Sequence, residues 1–180
     1  MKQAIEQLRA GDLAHVEHLR RQVLDFCATH PDALERTCPE AHLTATAHVV
    51  DPADGRFVLL HHRKIGRWVH PGGHADGDSD LAAVALREAE EETGLAGLRV
   101  VQPAVDLDVH VFEAPGEPRH LHLDLRFVVL APPGSAAAPP PGNDESTAIR
   151  WVRRDDLDAL GIATDDSVRR FAARAADRIS

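Results

Sequence analysis

The stretch that most constrains this chain runs from Pro71 to Leu95, PGGHADGDSDLAAVALREAEEETGL. A glycine turn leads into a segment of helical periodicity that carries Glu88, Glu90, Glu91 and Glu92. At about 100° per residue, Glu88, Glu91 and Glu92 fall at about 0°, 300° and 40° on a helical wheel, so three carboxylates share one face while Glu90 points elsewhere. Like charges three and four residues apart repel by roughly 0.2–0.5 kcal/mol per pair on an exposed helix, and by more when partly buried. A hard cation relieves that repulsion, and an oxygen-only donor set suits Mg²⁺ or Mn²⁺ rather than zinc. Ala82, Leu86 and Ala89 fall at about 100–160°, so the helix is expected to dock there and leave its acidic face at the margin of a sheet. Thr93-Gly94 then ends the helix, Gly94 supplying the left-handed C′ residue.

The phrase Arg87-Glu88-Ala89-Glu90-Glu91-Glu92-Thr93-Gly94-Leu95 resembles the second half of the Nudix box, R-E-U-x-E-E-x-G-U with U a bulky apolar residue, and Gly73 stands at the box's opening glycine. Trp68 to Gly73 is similar to the W-x-x-P-G-G that commonly precedes the box, and Glu145-x5-Trp151-Val152-x2-Asp155-Asp156-Leu157 resembles the segment that ends many Nudix domains. The likeness spans about residues 42–160, with its specific part at 68–95.

The resemblance implies an α/β (α+β) fold, an α/β/α sandwich around a mixed sheet, with residues 1–40 as an N-terminal helical extension and 41–180 as the catalytic domain. It implies metal-dependent hydrolysis of a phosphoanhydride bond in a nucleoside diphosphate linked to another moiety, with Mg²⁺ or Mn²⁺ as cofactor. Glu88, Glu91 and Glu92 match the metal-binding glutamates, Glu88 and Glu91 also being the catalytic candidates. Glu145 lies where some members place a further glutamate, as ligand or general base. Arg87 matches the arginine that orients a glutamate of the box, and Gly72, Gly73 and Gly94 match structural glycines, Gly73 as a loop residue of unusual backbone shape. One position departs from the pattern. Where G-x5-E-x7-R-E expects glutamate the chain has Ser79, so either Asp78 takes that role by a small loop shift or Ser79 caps the helix and the role is vacant; the capping reading is preferred.

The rest of the chain supplies the scaffold. A helix is expected over 12–29, opened by Asp12 and closed before Pro31, to cap the sheet, contact a second subunit in a homodimer or border the substrate, the structural role being favoured. Residues 42–50 and 57–63 alternate like strands of a hairpin around Asp51-Pro52-Ala53-Asp54-Gly55. Segments 98–114 and 119–131 read as antiparallel strands in which Asp106, Asp108 and His110, and His120, His122, Asp124 and Arg126, form one polar face. That face is expected to line the active site. Substrate contacts are sought among Trp68, Arg67, His70, His110, His122, Asp124 and Arg126, with Phe57 and Phe112 as further stacking candidates. A zinc site from His110, His120 and His122 is the weaker alternative, because no tight ligand spacing on one element supports it. Residues 131–144, rich in Pro, Ala and Gly, are expected to be a mobile surface connection without helix or strand. A short helix is expected at Asp155-Asp156-Leu157 and a last amphipathic one over about 165–178.

The net charge of −9 argues against a nucleic-acid surface, yet a phosphate ester can still bind where metal ions intervene. Cys27 and Cys38 lack disulfide-framework or metal spacing and are expected to be reduced core residues. With no apolar run of membrane length and no secretory h-region, a soluble cytoplasmic protein without membrane contact is expected. Two other functions remain open. One is a Nudix-fold binding or regulatory module that has lost its chemistry. The other, ranked lower, is an isomerase of the isopentenyl diphosphate type, which needs an active-site cysteine, whereas both cysteines precede the domain.

Overall fold

Period-two alternation from Ala41 onward builds one mixed sheet in the computed structural model, which describes residues 1–158 and 166–179. Its strands are β1 (Ala41–Val50), β2 (Phe57–His62), β3 (Arg67–Val69), β4 (Gly72–His74), β5 (Arg99–Phe112), β6 (His120–Leu130) and β7 (Ser146–Val152). The helices are α1 (Lys2–Ala10), α2 (Glu17–Thr29), α3 (Leu81–Thr93) and α4 (Asp166–Ile179). The main path is β3-β2-β1-β6-β5, with β4 paired to β1 and β7 to β2. β1 and β6 run parallel in unbroken register from Ala41 opposite Leu121 to Val50 opposite Leu130, and the other pairs are antiparallel.

Each face of β1 has its own fate. Leu43, Ala45, Ala47 and Val49 enter a core shared with Ala4 and Leu8 of α1, Val23 and Cys27 of α2, and Leu81, Val84 and Ala85 of α3. On the other side Val50, Phe57, Leu59, Val105 and Val128 pack under Phe171, Ala172 and Ala175 of α4. Helices therefore cover both faces, giving the α/β/α sandwich that the Nudix resemblance implies. Burying each Leu or Phe side chain in these layers contributes about 1.5–3 kcal/mol. Both cysteines are free and buried, and burial pushes the Cys27 thiol up to about 11.

Several expected elements change. The helix drawn over 12–29 begins at Glu17 after a 3-10 turn at Ala14–Val16, with Val16 and not Asp12 at its N-cap, and a separate helix α1 precedes it. Gly11 interrupts the two, its would-be Cβ lying 2.9 Å from the Leu13 side chain. The turn at 51–55 forms, with Gly55 N–H donating to Asp51 O at 2.9 Å, but β1 and β2 pair only at Val50 and Phe57 and then splay. β1 takes β4 and β6 as its partners instead.

The 131–144 segment is tied down and holds a 3-10 turn at Ser135–Ala137. Gly134 N–H and Ala136 N–H donate to the buried Asp51 carboxylate at 3.0 and 2.8 Å, and Gly142 N–H donates to Thr93 O at 2.9 Å. The segment after β7 forms a 3-10 turn at Arg154–Asp156. α4 covers residues 166–179, and residue 165 of the expected helix lies outside the described residues. Among the described residues no helix is long and apolar enough to cross a membrane.

Candidate active site

α3 carries the box. Its N-cap is Asp80, whose carboxylate accepts from Ala83 N–H at 3.2 Å and from Gln7 Nε2 at 2.8 Å, so the expected cap at Ser79 is displaced by one residue. Asp satisfies the orphan amide as well as Ser does and adds a charge suited to a helix N-terminus. At the other end Gly94 takes the left-handed conformation (φ 67°) and its N–H donates to Glu90 O.

The expected side of α3 docks, with Ala82 and Ala89 buried and Leu86 packed against the same core, and the buried arc is wider than that side alone. Leu81, Val84 and Ala85, at about 20°, 320° and 60° on the same wheel, are buried as well and extend the arc toward the glutamates. Glu92 falls within the buried arc, Glu88 is half-buried and Glu91 lies outside it, so the acidic face runs along the margin of the core with one end turned under. Glu92 is 4% exposed, and its carboxylate accepts from Gly72 N–H at 2.7 Å. Burial pushes it up to about 8 against the pull of that hydrogen bond, and the charges of Glu88, Glu145 and Glu91 add to the rise. Glu88 is half-buried and also raised, chiefly by burial, while Arg87 Nη2 donates to it at 3.0 Å. Arg87 also donates to His74 O at 3.3 Å and lies 3.9 Å from Asp78. It thus ties Glu88 to the glycine strand. Glu91 is exposed.

Gly73 is required for space rather than for backbone shape. It lies in β4 without a positive φ, and a Cβ there would stand 2.5 Å from the Glu88 carboxyl. Gly72 meets backbone instead, its would-be Cβ lying 2.8 Å from Ala45 O and 2.9 Å from Thr46 Cα.

A cavity of about 930 Å³ opens over this face, lined by Glu88, Glu91 and Glu92, and by Asp78 and Glu145 from the flanking loops. Glu145 is delivered by the tethered 131–145 segment, its carbonyl accepting from Arg63 N–H at 3.0 Å. Basic side chains Arg36, Arg63, Lys64 and Arg67 also line the cavity. Lys64 pairs with Glu117 at 2.9 Å and Arg36 with Asp76. The carboxylates suit a hard divalent ion. They offer only oxygen donors to one cavity, Glu88 and Glu92 are raised because burial leaves their charge uncompensated, and the glycine strand leaves room beside Glu88.

Register explains the opposite wall. Asp108, Asp124 and Thr44 stand side by side across β5, β6 and β1, as do Asp106, Arg126 and Thr46, and as do His110, His122 and His42. Half of this expected active-site face is a buried ion cluster. Arg126, 6% exposed, donates to Asp124 at 2.7 Å, Asp108 at 3.2 Å and Asp106 at 3.3 Å, and Arg170 of α4 donates to Asp108 at 2.7 Å and Asp106 at 3.2 Å. Thr44 and Thr46 hydroxyls donate to the other Asp124 oxygen at 3.1 and 2.8 Å. Burial alone would raise Asp108, but the His110 hydrogen bond and the Arg126 and Arg170 charges hold it well below the usual carboxylate range. Asp106 is fully buried and reaches His15 at 2.8 Å, while Asp108, His110, His122, Asp124 and Arg126 line the cavity.

Other candidates separate by strand face. Arg67 and Val69 of β3 line the cavity, whereas Trp68 is not among its lining residues and sits under Arg150, whose guanidinium carbon is 5.5 Å from the ring centroid. His70 also lines the cavity, from a buried position between Phe57 and Phe171, with His48 Nδ1 3.0 Å from its Nε2. Burial and the neighbouring His48 and Arg126 hold His70 well below the ordinary imidazole range. Of the stacking candidates, Phe112 lines the cavity and stacks on His122 at 4.6 Å.

Comparison with known proteins agrees with this geometry. The family model for the NUDIX domain matches residues 41–172. Phosphatase NudJ of Escherichia coli (strain K12) is 27% identical over 114 residues, which are 62% of this chain and 69% of that protein. The crystal structure of a C. elegans Ap4A hydrolase binary complex aligns with TM-score 0.57 at 18% identity, covering 76% of this chain and 96% of that one. The NUDIX domain of Shewanella oneidensis NrtR complexed with ADP ribose aligns with TM-score 0.56 at 15% identity, covering 85% and 98%. A family model matched over most of the chain, on a sandwich that gathers the box glutamates around one cavity, makes this chain a member of the NUDIX family.

Proposed function

We propose that this chain, a Nudix-type hydrolase, splits the phosphoanhydride bond of a nucleoside diphosphate linked to another moiety, with Mg²⁺ or Mn²⁺ held by Glu88, Glu91 and Glu92. The observation that carries the reading is the convergence of these three carboxylates and Glu145 on one cavity that basic side chains also line. A bound divalent ion would neutralise phosphate charge and make water a better nucleophile, contributions worth several kcal/mol. Around it the chain's own groups divide the work. Arg87 holds Glu88 in place, Gly72 N–H fixes one Glu92 oxygen, and Glu145 stands ready to take a proton from the attacking water. Arg67 and Arg63 meet phosphate oxygens, and Phe112 offers a face for a base. Ap4A and ADP ribose, named with two of the structural neighbours, both contain phosphoanhydride bonds and are natural first substrates to try.

The second reading, a non-catalytic Nudix-fold module, is disfavoured by the presence of Glu88, Glu91 and Glu92 together, although Ser79 replaces a further glutamate of the box. Incubating nucleotide sugars, dinucleoside polyphosphates and nucleoside triphosphates with the protein and Mg²⁺ or Mn²⁺, and resolving the nucleotide products by ion-exchange chromatography, separates the two. Turnover by the parent that falls about 100-fold or more in Glu91→Gln supports hydrolysis. No turnover of any compound, or turnover unchanged by the substitution, overturns it.

A further inference from the structure

Beside the carboxylate face, four imidazoles from three strands meet with no role in the hydrolytic reading. His42 of β1, His74 of β4, and His120 and His122 of β6 each bring a ring nitrogen to within 4.8 Å of the other three. The parallel pairing sets His42 directly opposite His122, the antiparallel pairing brings His74 alongside β1, and the pleat puts His120 on the same face as His122.

The hydrogen bonds around these rings point their nitrogens inward. His42 is 2% exposed; its Nδ1 faces the Cys38 carbonyl at 3.4 Å, while its Nε2 is buried without a hydrogen-bond partner among the described residues. His120 Nδ1 faces the Pro118 carbonyl at 2.7 Å. A carbonyl only accepts, so each of these Nδ1 atoms carries the proton and each Nε2 presents a lone pair. That is the arrangement in which metal-ligating histidines are held, one nitrogen anchored by a backbone carbonyl and the other free to bind. His120 Nε2 and His122 Nε2 stand 3.1 Å apart, close to the separation of about 3.3 Å between two ligands on a tetrahedral ion with metal–nitrogen bonds of about 2.0–2.1 Å. Phe112 stacks against His122 and fixes its plane. An alternative in which the rings merely fill space leaves the buried His42 Nε2 unsatisfied.

We infer that His42, His74, His120 and His122 form a second metal site, a closed four-imidazole site for a borderline transition ion of the Zn²⁺ class, distinct from the carboxylate site. Nitrogen donors select such an ion over Mg²⁺, as the glutamates select the reverse. His74 and His120 are the more exposed pair and supply the closing movement. The bound ion cross-links β1, β4 and β6, and thereby holds the Gly72–His74 strand against α3. It has a structural role, because four protein ligands leave no open position.

The test uses full-length protein stripped with chelator and returned to Zn²⁺, or to Co²⁺ as a spectroscopic probe, with Mg²⁺ in excess. The expected results are one ion per chain, the intense visible absorption of tetrahedral Co²⁺, and a melting temperature raised by Zn²⁺. His74→Gln and His120→Gln, at partly exposed positions, should each weaken Zn²⁺ binding by about 100-fold or more, since loss of a direct ligand exceeds the usual effect of losing its supporting partner. Both variants should keep the fold of the stripped parent by circular dichroism. Glu88→Gln/Glu91→Gln should retain the Co²⁺ spectrum and the Zn²⁺ stabilisation whatever happens to hydrolysis, so failure of one metal assignment does not carry the other with it. The inference is overturned by absence of stoichiometric Zn²⁺ binding, by binding indifferent to both histidine substitutions, or by binding lost in the glutamate variant.

Discussion

Gly72 N–H donates to the Glu92 carboxyl at 2.7 Å, joining the glycine strand to the helix that carries the box at a point only 4% exposed to water. Burial raises this carboxyl from 4.5 to about 8. A proton is therefore bound in the folded, metal-free protein over a range in which the unfolded chain has released it. Stability from the neutral carboxyl is fully present below pH 4.5 and is lost as pH rises through 8. Buried imidazoles such as His48 and His70, lowered by burial, slope the opposite way and favour the folded state as pH rises. The prediction therefore concerns a difference. In chelator, Glu92→Gln should gain stability relative to the parent steadily between pH 4.5 and 8, by a few kcal/mol in all, as read by urea unfolding at a series of pH values. A difference that does not change with pH would contradict it.

Metal affinity should follow the same proton. An ion that binds Glu92 displaces it, so the parent's Mg²⁺ affinity, measured by calorimetry, is expected to rise with pH until about 8 and then level off. Proton release on binding, detected as a dependence of the heat on buffer, checks the origin of the effect.

Gly72 and Gly73 should fail in different ways. Gly73→Ala drives a methyl against the end of the Glu88 side chain, which can swing aside. Turnover is expected to fall about 100-fold, as for a misplacement of about 1 Å in catalytic geometry, with unfolding free energy within about 1 kcal/mol of the parent. Gly72→Ala meets the backbone of β1, which cannot yield, and should destabilise by about 1–3 kcal/mol. Equal stability losses in the two variants would refute this division.

Arg126 is a buried cation shared by three aspartates. Arg126→Met leaves those charges without their partner and should destabilise by about 3–5 kcal/mol in denaturant unfolding. Adding Asp124→Asn, which removes one of the stranded charges, should recover part of the loss. A fully stable Arg126→Met protein would show that Arg170 and His15 suffice to neutralise the cluster.

The position of the helix cap is testable by a pair of conservative changes. Asp80→Ala removes the acceptor for Ala83 N–H and should cost about 1 kcal/mol. Ser79→Ala should stay within about 0.5 kcal/mol, as for a surface change that breaks no special contact.

The glutamate face was legible in the sequence because it depends on periodicity within a single element, and the sandwich because the box resembles that of Nudix proteins. Glu88, Glu91 and Glu92 share a face whatever the helix packs against. The helix's apolar side at Ala82, Leu86 and Ala89 was legible too, whereas the extension of that side through Leu81, Val84 and Ala85 to the buried Glu92 was not, because only the sheet decides how far the buried arc reaches. The polar alternation at 106–110 and 120–126 was read correctly as one face, yet its coverage by α4 depends on Arg170 and Ser167, far along the chain. Helix α1 escaped notice because Ala4, Ile5 and Leu8 make too short a stripe before Gly11 to stand above background. The histidine cluster needed register. His120 and His122 were visible as a pair, but their neighbours His42 and His74 come from strands nearly eighty and nearly fifty residues earlier, while His110 turns to Asp108 at 2.9 Å.

Gln7 of α1 donates to Asp80 at 2.8 Å and accepts from Leu81 N–H at 2.8 Å, gripping α3 at the end away from its glutamates. This thirteen-residue helix, about 20 Å long, is held at its far end as well, where Gly72 N–H meets Glu92 and Gly142 N–H meets Thr93 O. The first forty residues thus supply one of the two anchors of the helix that carries the glutamates, so two chains alike over 41–172 but different before it would share one anchor and differ in the other.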